Sequence, residues 1–130
     1  MRCLFIHDNR YMVRGDTVYS EGQFGYRDWR RYLVAYGALT VAGRPARSDT
    51  RQDTARLNLS SGPGVAFALL PDVAGPVALV RNMWPLRRQL RDLIAEHDVV
   101  IARLPSEAGL VACDLARRLG KPYGIEVVGC

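Results

Sequence analysis

The stretch DVVIARLPSEAGLVACDLARRLGKPYGIEVVGC, residues 98–130, carries the pattern that decides the fold. It opens with a continuous apolar run from Asp98 to Pro105 and closes with a second such run from Tyr123 to Cys130. Between them, Ser106 is expected as a helix N-cap with Glu107 in the first turn, and Gly120 begins a Gly-Lys-Pro stop. This strand–helix–strand unit predicts two parallel strands joined by a crossover helix.

The same alternation of apolar runs and helical stripes continues upstream. Strand-length runs read CLFIHD, ALTVAGR (Ala38 to Arg44) and VAFALLPD (Val65 to Asp72). Apolar residues at helical spacing are Tyr26, Trp29, Leu33 and Tyr36, ended by Gly37, and then Leu86, Leu90, Leu93 and Ile94. Pro85 either lies in the first turn of that second helix or kinks a helix that begins near Pro76. The sequence predicts an α/β fold: a single Rossmann-like three-layer domain over residues 1–130, with a mainly parallel sheet of about five strands.

Two connections do not fit a minimal alternating fold. YSEGQFGYRDWRRYL, Tyr19 to Leu33, places a long polar, glycine-bearing segment between the first strand and the first helix. Pro45 to Pro63 has no helical stripe and is rich in Arg, Asp, Ser and Thr. It is expected to be either a disordered surface loop or a short irregular helix.

Composition limits the class of protein. The chain has 130 residues, of which 48% are hydrophobic and 24% charged, as in a soluble globular domain. It contains no apolar run long enough to cross a bilayer and no signal peptide, so a cytoplasmic location is predicted. The three cysteines are widely spaced, and Cys3 and Cys113 are expected to be small core residues.

The net charge of +5 is carried by arginine, which supplies 17 of the 18 basic side chains. Such a balance suits an anionic partner, but no nucleic-acid recognition motif is present, so no nucleic-acid partner is predicted. The segment MWPLRRQLR, Met83 to Arg91, fits two interpretations. The favoured one is a surface helix whose Trp84 covers the core; the other is peripheral contact with an anionic membrane.

The candidate ligand site lies at the carboxyl ends of the predicted strands. Gly22 and Gly25 precede a helix and can either expose N–H groups to an anion such as a diphosphate or serve only to turn the chain. Arg103 and Glu126 are charges within apolar strands, so each needs a partner or a ligand, and an ion pair between them is the alternative to ligand binding.

Neither a catalytic residue nor a metal site emerges from the residues alone. His7 and His97 have no cluster of further ligands at metal-binding spacing, although His7 with Asp8 could touch a substrate at the end of the first strand. No Ser-His-Asp or Cys-His arrangement can be assembled.

Four segments together resemble the N-terminal half of a bacterial retaining glycosyltransferase of family-four type, with the two-domain GT-B architecture. They are CLFIHD, EGQFGYRDWRRYL, LNLSSGPGVAF and IARLPSEAGLVACDLARRLGKPYGIEVVGC. The resemblance covers essentially the whole chain. It implies an acceptor-side domain that works with a C-terminal donor-binding domain, which residues 1–130 do not contain.

The resemblance also implies functional residues. Gly22 and Gly25 would shape a loop facing the donor diphosphate, although the family's glycine pair reads Gly22-Gln23 here. Arg103, Ser106, Glu107 and Glu126 would contact substrate, with Arg103 offsetting phosphate charge. A nucleotide-diphosphate sugar would be the donor substrate, a glycan or lipid-linked molecule the acceptor, and neither a cofactor nor a metal is expected.

The full enzyme would transfer a hexose in cell-surface polysaccharide synthesis, at the inner face of the membrane, and this chain alone is expected to be inactive. The alternative is a non-catalytic Rossmann-like binding module, dimeric through its last strand, which a sheet ending at residue 130 would leave partly uncovered.

Overall fold

The computed structural model of the protein describes residues 1–21, 23–46 and 57–128. Within these residues the chain forms three helices and one mixed sheet of seven strands. The strands are β1 (Arg2–Arg14), β2 (Thr17–Ser20), β3 (Ala38–Pro45), β4 (Asn58–Leu59), β5 (Val65–Leu69), β6 (Val99–Leu104) and β7 (Tyr123–Val127). The helices are α1 (Tyr26–Tyr36), α2 (Pro76–Glu96) and α3 (Glu107–Arg118).

Strand β1 is the centre of the sheet. Its first half pairs in parallel with β3 on one side and with β6 on the other. β5 extends the sheet in parallel beyond β3, and β7 extends it beyond β6. The second half of β1 pairs antiparallel with β2, which pairs antiparallel with β4. The predicted α/β class is confirmed, but the predicted sheet of about five mainly parallel strands is wrong in extent, because the described sheet is mixed and has seven strands.

The polar segment after the first strand begins as a β-hairpin rather than as a loop. β1 continues to Arg14, and Arg14 lies opposite Thr17, which leaves Gly15 and Asp16 as a two-residue turn. Gly15 has a φ of 59°, a left-handed conformation that glycine adopts without strain. The prediction of a long polar loop leading from the first strand to the first helix is therefore wrong for its first half. The helix itself is confirmed and begins at Tyr26.

Helix α1 covers one face of the sheet. Trp29 and Tyr32 are its buried side chains, and they pack in a cluster with Phe5 and Val41 from the central strands. The indole N–H of Trp29 donates to the Ser60 hydroxyl at 3.0 Å, so the buried ring keeps its polar group paired. The helix ends at Gly37, as predicted, with a φ of 86°.

Helices α2 and α3 cover the opposite face. Leu4 and Ile6, which alternate along β1 with the residues under α1, pack there with Leu86, Leu90 and other apolar residues of both helices. Pro85 lies inside α2, which confirms the alternative of a helix that begins at Pro76. Helix α3 begins after Ser106, the predicted N-cap, and ends at Arg118, shortly before the predicted stop at Gly120.

Two further expectations, on Trp84 and on the cysteines, have definite outcomes. Trp84 does not cover the core but is exposed, because its position on α2 is opposite that of Leu86 and Leu90. Cys3 is buried as predicted, whereas Cys113 is half-buried.

The Pro45 to Pro63 connection contains β4, and its residues 47–56 lie outside the described residues. No helix in the described part of the chain is both long and apolar enough to span a membrane.

Candidate functional site

Two adjoining hollows lie at the carboxyl end of β6 and beside the middle of β1, where its parallel pairing with β6 ends, on the α1 side of the sheet. The first, of about 410 Å³, is lined mainly by residues of α1 and the segment before it; the second, of about 280 Å³, reaches the end of β7. Phe24 and Arg103 line both hollows. The remaining lining residues are Arg27, Asp28, Trp29, Arg31 and Tyr32 in the first, and His7, Asp8, Leu104, Pro105 and Val128 in the second.

Arg103 occupies the boundary between the hollows. Val100 of β6 packs in the cluster beneath α2 and α3, and Arg103 has the opposite parity along the strand, so the arginine points to the α1 side. Its guanidinium carbon lies 4.6 Å from the centre of the Phe24 ring, a cation–π contact that keeps the charge in place without neutralising it. No ion pair to Arg103 is formed within the described residues. The sequence allows an ion pair between Arg103 and Glu126 as the alternative to ligand binding. That alternative is wrong, although the two residues are register partners on β6 and β7.

Glu126 pairs instead with α1. Its carboxylate accepts a hydrogen bond from the Tyr32 hydroxyl at 2.5 Å and lies 3.3 Å from the Arg31 guanidinium. Burial, together with the bond to Glu126, raises the pKa of Tyr32 above its usual value, so the phenol remains the donor. This contact ties the edge strand β7 to α1.

Gly25 is the N-cap residue of α1, as its position before the helix suggested. Its N–H donates to the Asp28 carboxylate at 3.0 Å and also to the Gln23 carbonyl at 3.0 Å. Asp28 thus already supplies negative charge at the helix N-terminus, where an external anion would otherwise bind. Gly22 lies outside the described residues.

Ser106 and Glu107 serve the start of α3. The buried Ser106 hydroxyl accepts from the Gly109 N–H at 3.0 Å and donates to the Arg103 carbonyl at 2.9 Å. Ser106 therefore fixes the backbone of Arg103 relative to the helix. Glu107 is exposed and lines a different, smaller hollow of about 70 Å³ with Asp8 and Arg44.

A second polar cluster at the same edge of the sheet was not predicted. The buried Arg10 guanidinium lies 2.9 Å from the Asp72 carboxylate, and Arg44 lies 3.7 Å from the same carboxylate. Partial burial acts to raise the pKa of Asp72, but the Ala74 N–H and the two guanidinium groups outweigh it, so the pKa falls below its ordinary value. The cluster ties the second half of β1 and the end of β3 to the segment after β5. The sequence could have revealed this cluster, because Arg10, Arg44 and Asp72 each lie at or just after the end of a predicted strand.

His7 forms the inner wall of the second hollow. It is only 1% exposed, and its Nε2 is 2.5 Å from the Tyr11 hydroxyl. Burial, and secondarily the charge of Arg103, lowers the pKa of His7 to about 3. The ring is therefore neutral at physiological pH, and it presents a hydrogen-bonding or apolar surface rather than a positive charge.

The chemistry of the site is that of an anion-attracting hollow with an aromatic wall. Arg103, Arg27 and Arg31 bring three guanidinium groups to the first hollow, against the carboxylates of Asp28 and Glu126 nearby. Guanidinium groups bind phosphate oxygens through paired N–H donors. Among the residues that the structure describes, no group of three or more His, Cys, Asp or Glu side chains is placed to hold a metal ion.

The structure joins some of the predicted site residues and separates others. Arg103 and Glu126 lie together near α1, and Gly25 begins that helix, whereas Glu107 faces another hollow. Phe24 and Tyr32 were missed. Phe24 directly precedes the helix N-cap, where a polar loop was predicted, and Tyr32 lies three residues after Trp29, a helical spacing that could have identified it.

The chain is similar to a curated protein in sequence and, weakly, to solved structures in fold. The chain is 30% identical over 129 residues to protein CapJ of Staphylococcus aureus. The match covers 99% of this chain, but the chain spans only about a third of that relative's length (32%). No family model matches the chain.

Among solved structures, two crystal structures of the C-terminal domain of a hydrogenase from Pyrococcus furiosus are similar to this fold. They have TM-scores of 0.48 and 0.47 with 10% and 12% identity, and each alignment covers 96% of this chain and 90% of the other. Because both TM-scores are below 0.5, the fold is described from the strand pairing of this chain alone.

Proposed function

We propose that this chain is the acceptor-side domain of a glycosyltransferase that acts in cell-surface polysaccharide synthesis. The complete enzyme would transfer a hexose from a nucleotide-diphosphate sugar to a glycan or lipid-linked acceptor. The chain would form one half of a two-domain GT-B architecture, and a donor-binding domain would supply most of the contacts to the nucleotide sugar.

The order of the parallel strands supports this proposal. The five parallel strands lie in the order β5-β3-β1-β6-β7, which is the order of a doubly wound nucleotide-binding sheet. In such sheets ligands bind beyond the carboxyl ends of the strands, where the order reverses. In this chain the reversal occurs between β1 and β6, next to the two hollows.

The observation that carries the proposal is the placement of Arg103. It is half-buried at the carboxyl end of β6, lies against Phe24 and forms no ion pair within the described residues. A guanidinium held in this way at the mouth of a hollow is suited to the phosphate charge of a donor or of a lipid-linked acceptor.

The relative supports the proposed biological process but not the transfer reaction itself. The name CapJ points to capsule biosynthesis, which is a form of cell-surface polysaccharide synthesis. Because this chain matches about a third of CapJ, the relative has room for a second domain of similar or larger size.

The test is a transfer assay on the complete protein with radiolabelled UDP-glucose, UDP-galactose and GDP-mannose, using membrane glycolipid extract as acceptor. Transfer from at least one donor is expected, whereas residues 1–130 alone should give none. Arg103→Gln should lower kcat/KM about ten- to hundred-fold, the usual effect of losing a charge-assisted hydrogen bond.

Arg30→Gln is the matched control, because Arg30 is exposed on α1 and lines neither hollow. It should retain the activity of the unmodified protein, and Arg103→Lys should recover part of the loss. The proposal fails if the complete protein transfers none of the three sugars, or if Arg103→Gln is as active as Arg30→Gln.

A second candidate is a non-catalytic binding module. The observation that favours it is the row of apolar side chains on β7, where Tyr123, Ile125 and Val127 are all exposed. Such a row is a natural contact surface for a partner chain. The same assay separates the two candidates, since a binding module would transfer no sugar in any form of the protein.

A further inference from the structure

Helix α2 has an apolar face that points away from the core. Val77, Val80 and Trp84 are 72%, 82% and 73% exposed, respectively. They recur at steps of three and four, so they share one side of the helix, while Leu86 and Leu90 lie on the opposite side and are completely buried. A helix that packs on a sheet typically carries polar residues on its exposed side, whereas these three residues form a contiguous apolar patch.

Arginines share this exposed side. Arg81, Arg88 and Arg91 continue the same helical spacing, and all three are exposed. None of them forms an ion pair within the described residues, whereas Arg87, at the margin of this side, lies 3.3 Å from the Asp114 carboxylate. From Val77 to Arg91 the face is about 21 Å long at 1.5 Å per residue.

A groove extends the face toward α3. It has a volume of about 760 Å³ and combines Trp84 with arginines of both helices, with Leu115 of α3 and with Leu119, which follows α3. Asp92 is the acidic residue at its rim. The surface is thus apolar in one half and strongly basic in the other, with the tryptophan where the two halves meet.

We propose that this face of α2 is a docking surface for an anionic lipid bilayer. The surface is defined by Val77, Val80, Arg81, Trp84, Arg88 and Arg91. The valines would enter the boundary between headgroups and acyl chains, the indole would lie at headgroup level and the guanidinium groups would bind lipid phosphates. The helix would lie on the membrane.

Charge complementarity selects a bilayer over a second copy of the chain. A symmetric dimer through this face would bring two sets of Arg81, Arg88 and Arg91 together, and like charges at close range oppose association. An anionic membrane instead supplies a continuous negative surface for all three arginines and an apolar layer for the valines.

The docking surface is independent of the proposed sugar transfer. It lies on the α2 and α3 side of the sheet, whereas Arg103 and Phe24 lie on the α1 side. Its test therefore uses no nucleotide sugar, and a failure of either proposal leaves the other standing.

The experiment is co-sedimentation of the purified protein with phosphatidylcholine vesicles, with and without about 30% phosphatidylglycerol. Binding is expected only to the anionic vesicles and should weaken as salt is raised. Trp29 is completely buried, so a blue shift of tryptophan emission on binding would report on Trp84.

Two variants test the surface against matched controls. Arg88→Gln with Arg91→Gln should weaken vesicle binding about thirty-fold, from roughly 1 kcal/mol per basic residue at an anionic surface. Arg14→Gln with Arg30→Gln removes the same charge from exposed positions on β1 and α1 and should have little effect. Trp84→Gln should abolish the blue shift, and Val34→Gln, on the exposed side of α1, should preserve it.

The proposal is overturned by absence of binding to anionic vesicles, by equal binding to neutral vesicles or by equal losses in the test and control arginine variants. It is also overturned by self-association that Trp84→Gln removes in the absence of lipid. Binding of soluble inositol hexakisphosphate without any vesicle binding would also contradict it, since it would show an anion site rather than a membrane surface.

Discussion

His7 shows how far the fold can change the chemistry of a single side chain. Its ring centre lies 4.6 Å from that of Phe24 and 4.9 Å from that of Phe5, and the Tyr11 hydroxyl bonds to its Nε2. Protonation would bury a positive charge among aromatic rings and near Arg103. The sequence places His7 at the end of the first strand. In the structure His7 is an uncharged side chain in the wall of the second hollow.

The burial of His7 makes stability depend on pH. Its folded pKa of about 3 lies below the ordinary 6.5, so the unfolded chain binds a proton first as the pH falls. Stability from this group is complete above pH 6.5 and is lost progressively between pH 6.5 and about 3. Between pH 6.5 and 5 the expected loss in unfolding free energy is up to about 2 kcal/mol. Urea unfolding across this range measures it.

Two variants isolate the contribution of His7. His7→Phe removes the titrating group, so its unfolding free energy should fall less steeply from pH 6.5 to 5 than that of the unmodified protein. Tyr11→Phe keeps the buried ring and removes only the hydroxyl partner, so it should lower stability by about 1 kcal/mol with the steep pH dependence retained. Equal slopes in His7→Phe and in the unmodified protein would show that His7 is not the source.

At the scale of helices and strands, the sequence predicted the elements that the spacing of apolar residues marks. The stripe of α1, the Ser106 cap of α3 and the apolar runs of the five parallel strands were all found from spacing alone. The hairpin was missed because β1 was ended at the charged residues after Ile6, although Gly15-Asp16 between two short runs is a typical two-residue hairpin turn.

The contacts of the site were less predictable than the elements. Spacing placed Arg103 and Glu126 on neighbouring strands, but it could not show that Glu126 would turn to Tyr32 and Arg31 of α1. Which of two nearby cations a carboxylate binds depends on how a helix packs on the sheet, and one sequence does not contain that information. For the same reason the exposure of Trp84 followed only from the orientation of α2.

The junction of β1 and β3 depends on a glycine. The register between these strands shifts between Ile6 and Arg10, and Gly43 faces that irregularity. A Cβ at position 43 would lie 2.8 Å from the Asn9 carbonyl oxygen and 2.5 Å from the Tyr11 ring. Gly43→Ala should therefore lower the free energy of unfolding by about 1–3 kcal/mol, the usual cost of overpacking. The measurement is the urea midpoint at constant m-value.

Gly124 provides the matched control for Gly43. It lies in β7, and a Cβ there would meet no atom within 4 Å. Gly124→Ala should leave stability unchanged or raise it by roughly 0.5 kcal/mol through the smaller backbone entropy of alanine. If both alanine variants shift the midpoint equally, the close approach of Gly43 to β1 is not what constrains this position.

At the scale of the whole molecule, the centre of the sheet at β1 is more deeply buried than the edge strand β7. Leu4, Phe5 and Ile6 have no exposed surface, pair with strands on both sides and belong alternately to the two core clusters. β7 pairs with β6 alone among the described strands and carries exposed apolar side chains. The candidate site reaches from the centre of the sheet to its edge, since His7 lies in β1 and lines the second hollow with Arg103 of β6, whose register partner is Glu126 of β7.

Native-state hydrogen exchange should reveal this gradient. The Val128 N–H donates to the Leu104 carbonyl at 2.9 Å, so it is hydrogen-bonded like the amides of β1. The two sites differ in how much of the sheet must open before the amide can exchange with solvent. The amides of Leu4, Phe5 and Ile6 should exchange at least about a thousand-fold more slowly than that of Val128, because β1 opens only when the whole sheet unfolds. Low concentrations of urea should accelerate exchange in β1 steeply and exchange at Val128 only slightly. If Val128 instead follows β1 in rate and in urea dependence, the contact of Glu126 with Tyr32 and Arg31 secures β7 to the core, and the edge strand unfolds only with the rest of the molecule.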